Sequence, residues 1–153
     1  MAKQNDIKVL GENKRARFDY LIEDTLECGI ELKGSEVKSV KEGRVSFGDA
    51  YVRVKNDELW LMGLHITPYS HATIENHDPL RPRKLLAHAE EIHQLRRKTE
   101  ERGYTLVPLR FYVKRGLVKV LVGIAKGKKK HEKREAIKER DIKREMDREL
   151  RRY

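Results

Sequence analysis

The stretch TLVPLRFYVKRGLVKVLVGIA, residues 105–125, decides the class of the fold. Val107, Leu109, Phe111 and Val113 occupy alternate positions, Arg115-Gly116 interrupts the run, and Val118, Val120, Val122 and Ile124 alternate again. Side chains along a strand point to opposite faces in turn, so this pattern predicts an antiparallel hairpin with one buried face. Just upstream, residues 84–102 read as the one clear amphipathic helix. Leu85, Ala89, Ile92 and Leu95 recur at helical spacing, basic residues crowd the last turns, and Gly103 ends it. Residues 67–83 carry three of the four prolines and read as an irregular loop.

Further toward the N-terminus the alternating pattern returns. Residues 50–55 and 59–66 read as strands joined at Asn56-Asp57, a pair suited to a tight hairpin turn. A short helix is expected from Gly34-Ser35, with Ser35 as its cap, Glu36 at its positive end and Gly43 as its stop; Val37 and Val40 would face the core. Phe18, Tyr20 and Ile22, then Leu26, Cys28, Ile30 and Leu32, alternate with polar residues and read as strands. The basic cluster NKRAR, residues 13–17, would lead directly into the first of them. Residues 1–12 read as a flexible N-terminus. The expected architecture is mainly β: a small closed antiparallel barrel of about six strands with packed helices, over residues 13–125. Closure removes exposed edges, and barrels of this size commonly bind nucleic acid on one face.

Residues 126–153 form a basic tail. They hold thirteen Lys/Arg and seven Asp/Glu, a net +6 of the chain's +10. Positions four apart line up on a helix, so Arg140, Arg144, Arg148 and Arg152 make a basic ridge. Ile142, Met146 and Leu150 make a narrow apolar ridge offset from it by roughly 200°. An apolar face one residue wide and like charges four apart cannot hold an isolated helix. The tail is expected to be disordered when free and helical against an anionic, grooved partner, with a solvated single helix or one strand of a coiled coil as the alternative.

Several function classes are excluded or disfavoured. One cysteine, Cys28, rules out an intrachain disulfide and a Cys-rich zinc site. The histidines lack metal-ligand spacing, and there is neither a phosphate-cradling glycine loop nor a serine elbow. No metal, no cofactor and no enzymatic activity are expected. The absence of a long apolar run and of a signal-peptide centre points to a soluble cytoplasmic protein. The pI near 9.7 points to nucleic acid more than to a membrane surface. Lys14, Arg15 and Arg17 can neutralise phosphates, or can be a solvated basic edge. Residues 126–130 carry the same ambiguity, though Gly127 allows backbone to approach a sugar-phosphate surface. Glu27 and Glu36 either accept hydrogen bonds from base edges or hold basic side chains in salt bridges. Trp60, Tyr51 and Tyr112 can stack on bases or serve as packing.

The segments ENKRARFDYLIEDTLECGIELKGSEVKSVKEG, DAYVRVKNDELWLMGLHITPY, NHDPLRPRKLLAH, TLVPLRFYVKRGLVKVLVG and AKGKKKHEKRE, in this order, resemble the bacterial SsrA-binding protein family, also called small protein B. The resemblance runs from about Asn13 to the C-terminus. It implies a barrel related to the OB type, binding to the tRNA-like part of transfer-messenger RNA, and delivery of that RNA to stalled ribosomes without enzymatic activity. It also implies RNA-binding roles for Asn13, Glu27 and Gly127 with its flanking Lys128 and Lys129. By the same resemblance Glu132, Lys133 and Arg134 match a tail motif the family usually writes Asp-Lys-Arg, and Phe18 stands where many members have His. The tail, through Arg140, Ile142, Arg144, Met146, Arg148 and Leu150, would lie in the decoding site and empty message channel. A monomer is expected. A generic RNA-binding or ribosome-associated protein with a basic extension is the competing class.

Overall fold

The computed structural model describes residues 7–69, 77–127, 140 and 142–146. Among the residues up to 127 that are described, nine strands and three helices run in the order β1 (Ile7–Glu12), α1 (Lys14–Asp19), β2 (Tyr20–Ile30), α2 (Gly34–Lys41), β3 (Val45–Ser46), β4 (Tyr51–Lys55), β5 (Glu58–Met62), β6 (His65–Ile66), β7 (Arg83–Leu86), α3 (Ala89–Glu101), β8 (Thr105–Lys114) and β9 (Leu117–Gly127). Seven strands form one antiparallel sheet ordered β1-β8-β4-β5-β7-β2-β9, and β9 also pairs with β8. Six strands thus make a circuit of pairings, β8-β4-β5-β7-β2-β9 and back to β8, with β1 added outside on β8. Two ladders carry most of its length: Tyr20↔Gly127 through Gly29↔Lys119 between β2 and β9, and Thr105↔Ala125 through Lys114↔Leu117 between β8 and β9.

The β8–β9 hairpin forms where the alternation placed it, but a bulge between Pro108 and Arg110 changes which residues face in. One extra residue reverses strand parity. Leu106 and Phe111 therefore lie in the main core with Val120, Val122 and Ile124. Val107 and Leu109 turn outward and pack with Ala16 and Ala125 under α1. Proline fits here because a bulge spares the missing N–H a place in the ladder.

Four boundaries differ from the sequence reading. Ile7–Glu12 is a strand, since the edge of β8 offers its backbone a partner from Ile7↔Lys114 to Glu12↔Arg110. Lys14–Asp19 is a helix rather than the start of a strand, because the Asn13 side chain accepts from the Ala16 N–H and caps it. Residues 83–86, expected in the long helix and its preceding loop, form β7 between β5 and β2, with Leu85 buried in the core. Helix α3 begins only at Ala89, and Ile92 and Leu95 are its buried residues. Finally, β9 runs through Gly127, so Lys126 and Gly127 belong to the sheet and not to the tail. In α2, Val40 reaches the core; the first turn is closed by Glu36, whose carboxylate accepts from the Lys33 N–H at 2.8 Å, and not by Ser35.

Candidate nucleic-acid interface

Asn13 is the joint between α1 and the sheet. Its N–H donates to the Leu109 carbonyl at 2.7 Å and its Nδ2 to the Pro108 carbonyl at 2.9 Å, both at the β8 bulge. Its Oδ1 accepts from Ala16. The residue is 9% exposed, and these bonds all turn into the protein. Asn13 therefore acts by fixing α1, which carries Lys14, Arg15 and Arg17 exposed on its outer side. Arg15 lies 3.2 Å from Asp19 and 3.9 Å from Asp49. Lys14 and Arg17 make no ion pair among the described residues.

Asn13→Ala should lower stability by about 2 kcal/mol, since it removes a cap and strands the buried Pro108 carbonyl. Asn13→Ser, which keeps an acceptor for the cap, should recover about half of that. Thermal unfolding of the two variants checks this.

Further along the same outer face, Glu27 on β2 meets β8 and β9. Its Oε2 accepts from the Tyr112 hydroxyl at 2.6 Å and from Lys114 Nζ at 3.4 Å. The Tyr112 hydrogen bond, helped by the hydrogen bond from Lys114 and the Lys114 and Lys119 charges, outweighs burial and holds the Glu27 carboxyl below its ordinary value. Burial, reinforced by Glu27, pushes the Tyr112 hydroxyl up, so it stays a donor. Glu27 Oε1 has no partner among the described residues and is left as a fixed, anionic acceptor. Tyr112 is only 6% exposed, so it positions Glu27 and is no stacking platform.

At the far end of the ladder, Gly127 lies opposite Tyr20, and a Cβ there would meet nothing within 4 Å. Its side of the chain is open to a close approach from outside. Lys126 Nζ sits 4.7 Å from the centre of the Tyr104 ring, whose hydroxyl donates to Glu23. Helix α1, Glu27 and Gly127 are thus gathered on the outer face of β2, β9 and β8.

Glu36 is not on this face. It has no exposed surface, and it binds Arg83 Nε at 2.6 Å and Arg81 at 2.5 Å. Arg83, equally buried, donates also to the Leu64 carbonyl at 2.6 Å and the Pro79 carbonyl at 3.1 Å. A contact between Glu36 and RNA is excluded by this burial; the salt-bridge alternative describes it. The sequence does not reveal Tyr112 and Lys114 as partners of Glu27, or Arg83 as the partner of Glu36, because these pairings depend on strand register and a long loop.

Of the tail residues, Arg140, Ile142, Arg144 and Met146 are described and helical. Ile142 is 53% exposed and Met146 60%. The Arg140 guanidinium lies 5.0 Å from the centre of the Phe18 ring on α1, within cation–π range. Lys128, Lys129, Glu132, Lys133, Arg134, Arg148 and Leu150 lie outside the described residues, as does most of the span expected to order on binding. Among the described residues there is no metal-holding cluster and no helix long and apolar enough to cross a membrane.

Known proteins share this chain's sequence and shape. The family model described as SmpB protein matches residues 10–152. An SsrA-binding protein of Treponema denticola is 53% identical over 148 residues, covering 97% of this chain and 96% of its own. Another, of Aquifex aeolicus, is 54% identical over 151 residues, covering 98% and 96%. A solved chain from "tmRNA-SmpB: a journey to the center of the bacterial ribosome" aligns with a TM-score of 0.66 at 47% identity, over 83% of this chain and 93% of that one. About half the positions are identical over nearly the whole chain; the chain belongs to the SmpB family of SsrA-binding proteins.

Proposed function

We propose that this protein binds the tRNA-like part of transfer-messenger RNA and delivers it to ribosomes stalled on incomplete messages, acting in the cytoplasm as a monomeric binding protein. The observation that carries this reading is the gathering of unpaired cations on α1, one open carboxylate oxygen of Glu27, and an unobstructed Gly127 on a single face. Lys14 and Arg17 would hold phosphates, while Glu27 Oε1 would accept from a base amino group or a ribose 2′-hydroxyl. Gly127 would let the sugar-phosphate backbone close against the end of β9, with Lys128 and Lys129 beside it.

We read the circuit of six strands as a small closed barrel of the OB kind, which supplies the rigid face such contacts need. The tail would then enter the decoding site and the empty message channel, extending there the helix that residues 142–146 already hold. Lys133 and Arg134 would neutralise phosphates, with Glu132 beside them. Arg140, Arg144 and Arg148 would face phosphates, and Ile142, Met146 and Leu150 would seat the opposite side. Support for the pairing of RNA and ribosome comes from the similar solved chain, which belongs to a study of tmRNA and SmpB in the bacterial ribosome.

The test is a binding titration with the isolated tRNA-like RNA domain at fixed salt. A chain ending after Lys130 should bind within about tenfold of the full chain, or 1.4 kcal/mol. A loss of a hundredfold or more would place the primary site in the tail. RNA recovered with the protein from cells should be one dominant tRNA-like species; broad ribosomal RNA would favour the generic class.

A further inference from the structure

The outer face of β2, β9 and β8 holds one cation that the proposed function leaves unassigned. Register sets its place. Glu27 on β2 lies opposite Leu121 on β9, Leu121 lies opposite Arg110 on β8, and Arg110 lies opposite Glu12 on β1. Phe111 is in the main core while the Tyr112 hydroxyl reaches Glu27, so alternation puts Arg110 on the outer side with Tyr112. Leu121 is half-buried and packs against the cluster under α1, which makes it the floor of this row.

Arg110 is half-buried, and among the described residues it makes neither an ion pair nor a hydrogen bond. The acid opposite it, Glu12, is exposed and has no ion pair among the described residues either, so the two side chains do not meet although their strands do. The other cations near Glu27 and on the last turn of α1 are taken: Lys114 by Glu27 at 3.4 Å and Arg15 by Asp19 at 3.2 Å. The Arg110 charge does reach Tyr112, where it acts against the upward shift of the hydroxyl. Its position relative to α1 is fixed. The bulge turns the Pro108 and Leu109 carbonyls to Asn13, at 2.9 and 2.7 Å, and Arg110 is the next residue along. Bulges beside functional sites re-aim side chains in this way. Arg110 thus stands at a set spacing from Lys14 on one side and from Glu27 on the other.

We propose that Arg110, Leu121 and Glu27 form a cradle for a single nucleotide of the tRNA-like RNA. Arg110 holds its phosphate, the ribose lies over Leu121, and Glu27 Oε1 accepts from its base or its 2′-hydroxyl. The backbones of β8 and β2 are two strand spacings apart, about 10 Å, a span that one nucleotide covers from phosphate to base edge. A guanidinium engages a phosphate with two parallel N–H groups, so it fixes orientation as well as charge. The cradle rests on the proposed function and adds to it the residue that sets how the RNA backbone passes from α1 to Glu27.

Arg110→Gln keeps most of the stem and removes the charge, and its thermal unfolding should match that of the native chain. Titrated with the isolated tRNA-like RNA domain, the full chain carrying this change should bind about tenfold more weakly at fixed salt. The slope of log affinity against log salt should become shallower by about 0.7–0.9. Arg97→Gln, the same change on the exposed side of α3, should alter neither quantity. Arg110→Lys should restore the slope but only part of the affinity. Combined with Glu27→Gln, Arg110→Gln should cost at least about threefold less than the product of the two single losses, because both act on one nucleotide. The inference is overturned if Arg110→Gln stays within twofold of the native chain, if Arg97→Gln weakens binding as far, or if the losses at Arg110 and Glu27 multiply in full. It is also overturned if Arg110→Gln has no effect in a Glu12→Gln background, since the two would then be a structural pair. A native chain that binds the tRNA-like domain no better than an unrelated RNA hairpin overturns the proposed function and the cradle with it. A native chain that prefers that domain while Arg110→Gln is silent overturns the cradle alone.

Discussion

Replacing Arg83 with Met should destabilise the protein by about 3–5 kcal/mol, read from the midpoint of urea unfolding. Arg83 and Glu36 are each 0% exposed, and removing Arg83 leaves the buried Glu36 with only the partly exposed Arg81 as its ion-pair partner. The loss is larger than a surface pair would give because nothing replaces the solvation both groups left behind. Glu36→Gln with Arg83→Met should recover much of the loss. Most of the penalty belongs to the buried carboxylate left with one cation in place of two, so the double variant separates pair strength from under-compensated charge.

The same site has a pH signature. Burial acts to raise the Glu36 pKa, but hydrogen bonds from Arg81, the Lys33 N–H and Arg83 outweigh it and hold the carboxyl below its ordinary value of 4.5. A carboxyl held low in the folded state adds stability above its unfolded pKa and loses it as the pH falls through the folded value. Unfolding midpoints should therefore drop on acidification below about pH 4.5 in the native chain. That acid-side slope should be shallower in Glu36→Gln. An unchanged slope would show that other carboxyls set the acid limit.

The second large effect concerns the tail. Lys133→Ala with Arg134→Ala, or Ile142→Asp alone, should leave binding of the tRNA-like RNA within about threefold, under 1 kcal/mol. The same proteins should reduce peptide transfer to the alanyl-charged RNA, on a ribosome with an empty message channel, by tenfold or more, about 1.4 kcal/mol. Arg134 can engage a phosphate with two parallel N–H groups, which is why Arg134→Lys should restore only part of the activity. Ile142 and Met146 are exposed on the free protein, so Ile142→Asp disturbs no core. If both measurements fall together, the tail belongs to the primary RNA site. If neither falls, the tail is a solvated extension.

Where the sequence could be read, the signal was local. The β4–β5 hairpin follows from alternation on either side of Asn56-Asp57, and both turn residues take the positive φ that such a turn requires, 53° and 58°. The β8–β9 hairpin was legible for the same reason, with Arg115-Gly116 at its tip. What escaped was set by distant partners. Helix α1 has six residues, too few to show a helical period, and its cap Asn13 looks like any other residue of a basic cluster. Strand β1 exists because β8 offers an edge roughly a hundred residues away. Leu85 fits a helical spacing with Ala89 by coincidence; the strand it occupies is four residues long. The site divided in the same way. Glu27 and Glu36 are both acids among bases in sequence, yet register leaves Glu27 on the outer face and burial encloses Glu36.

Because β9 is laid against both β2 and β8, the last strand of the circuit is also the one that joins its beginning to its end. Tyr20 meets Gly127 only after the intervening chain exists. During synthesis β2 must wait, with one edge open, until β9 appears. Bringing together residues so far apart is slow relative to local pairing, because the entropy of closing the loop is lost before any ladder bond forms. The hairpins β4–β5 and β8–β9 are the segments that can form early. The circuit is then completed in one late event, and a chain halted before residue 117 has no β9 with which to complete it.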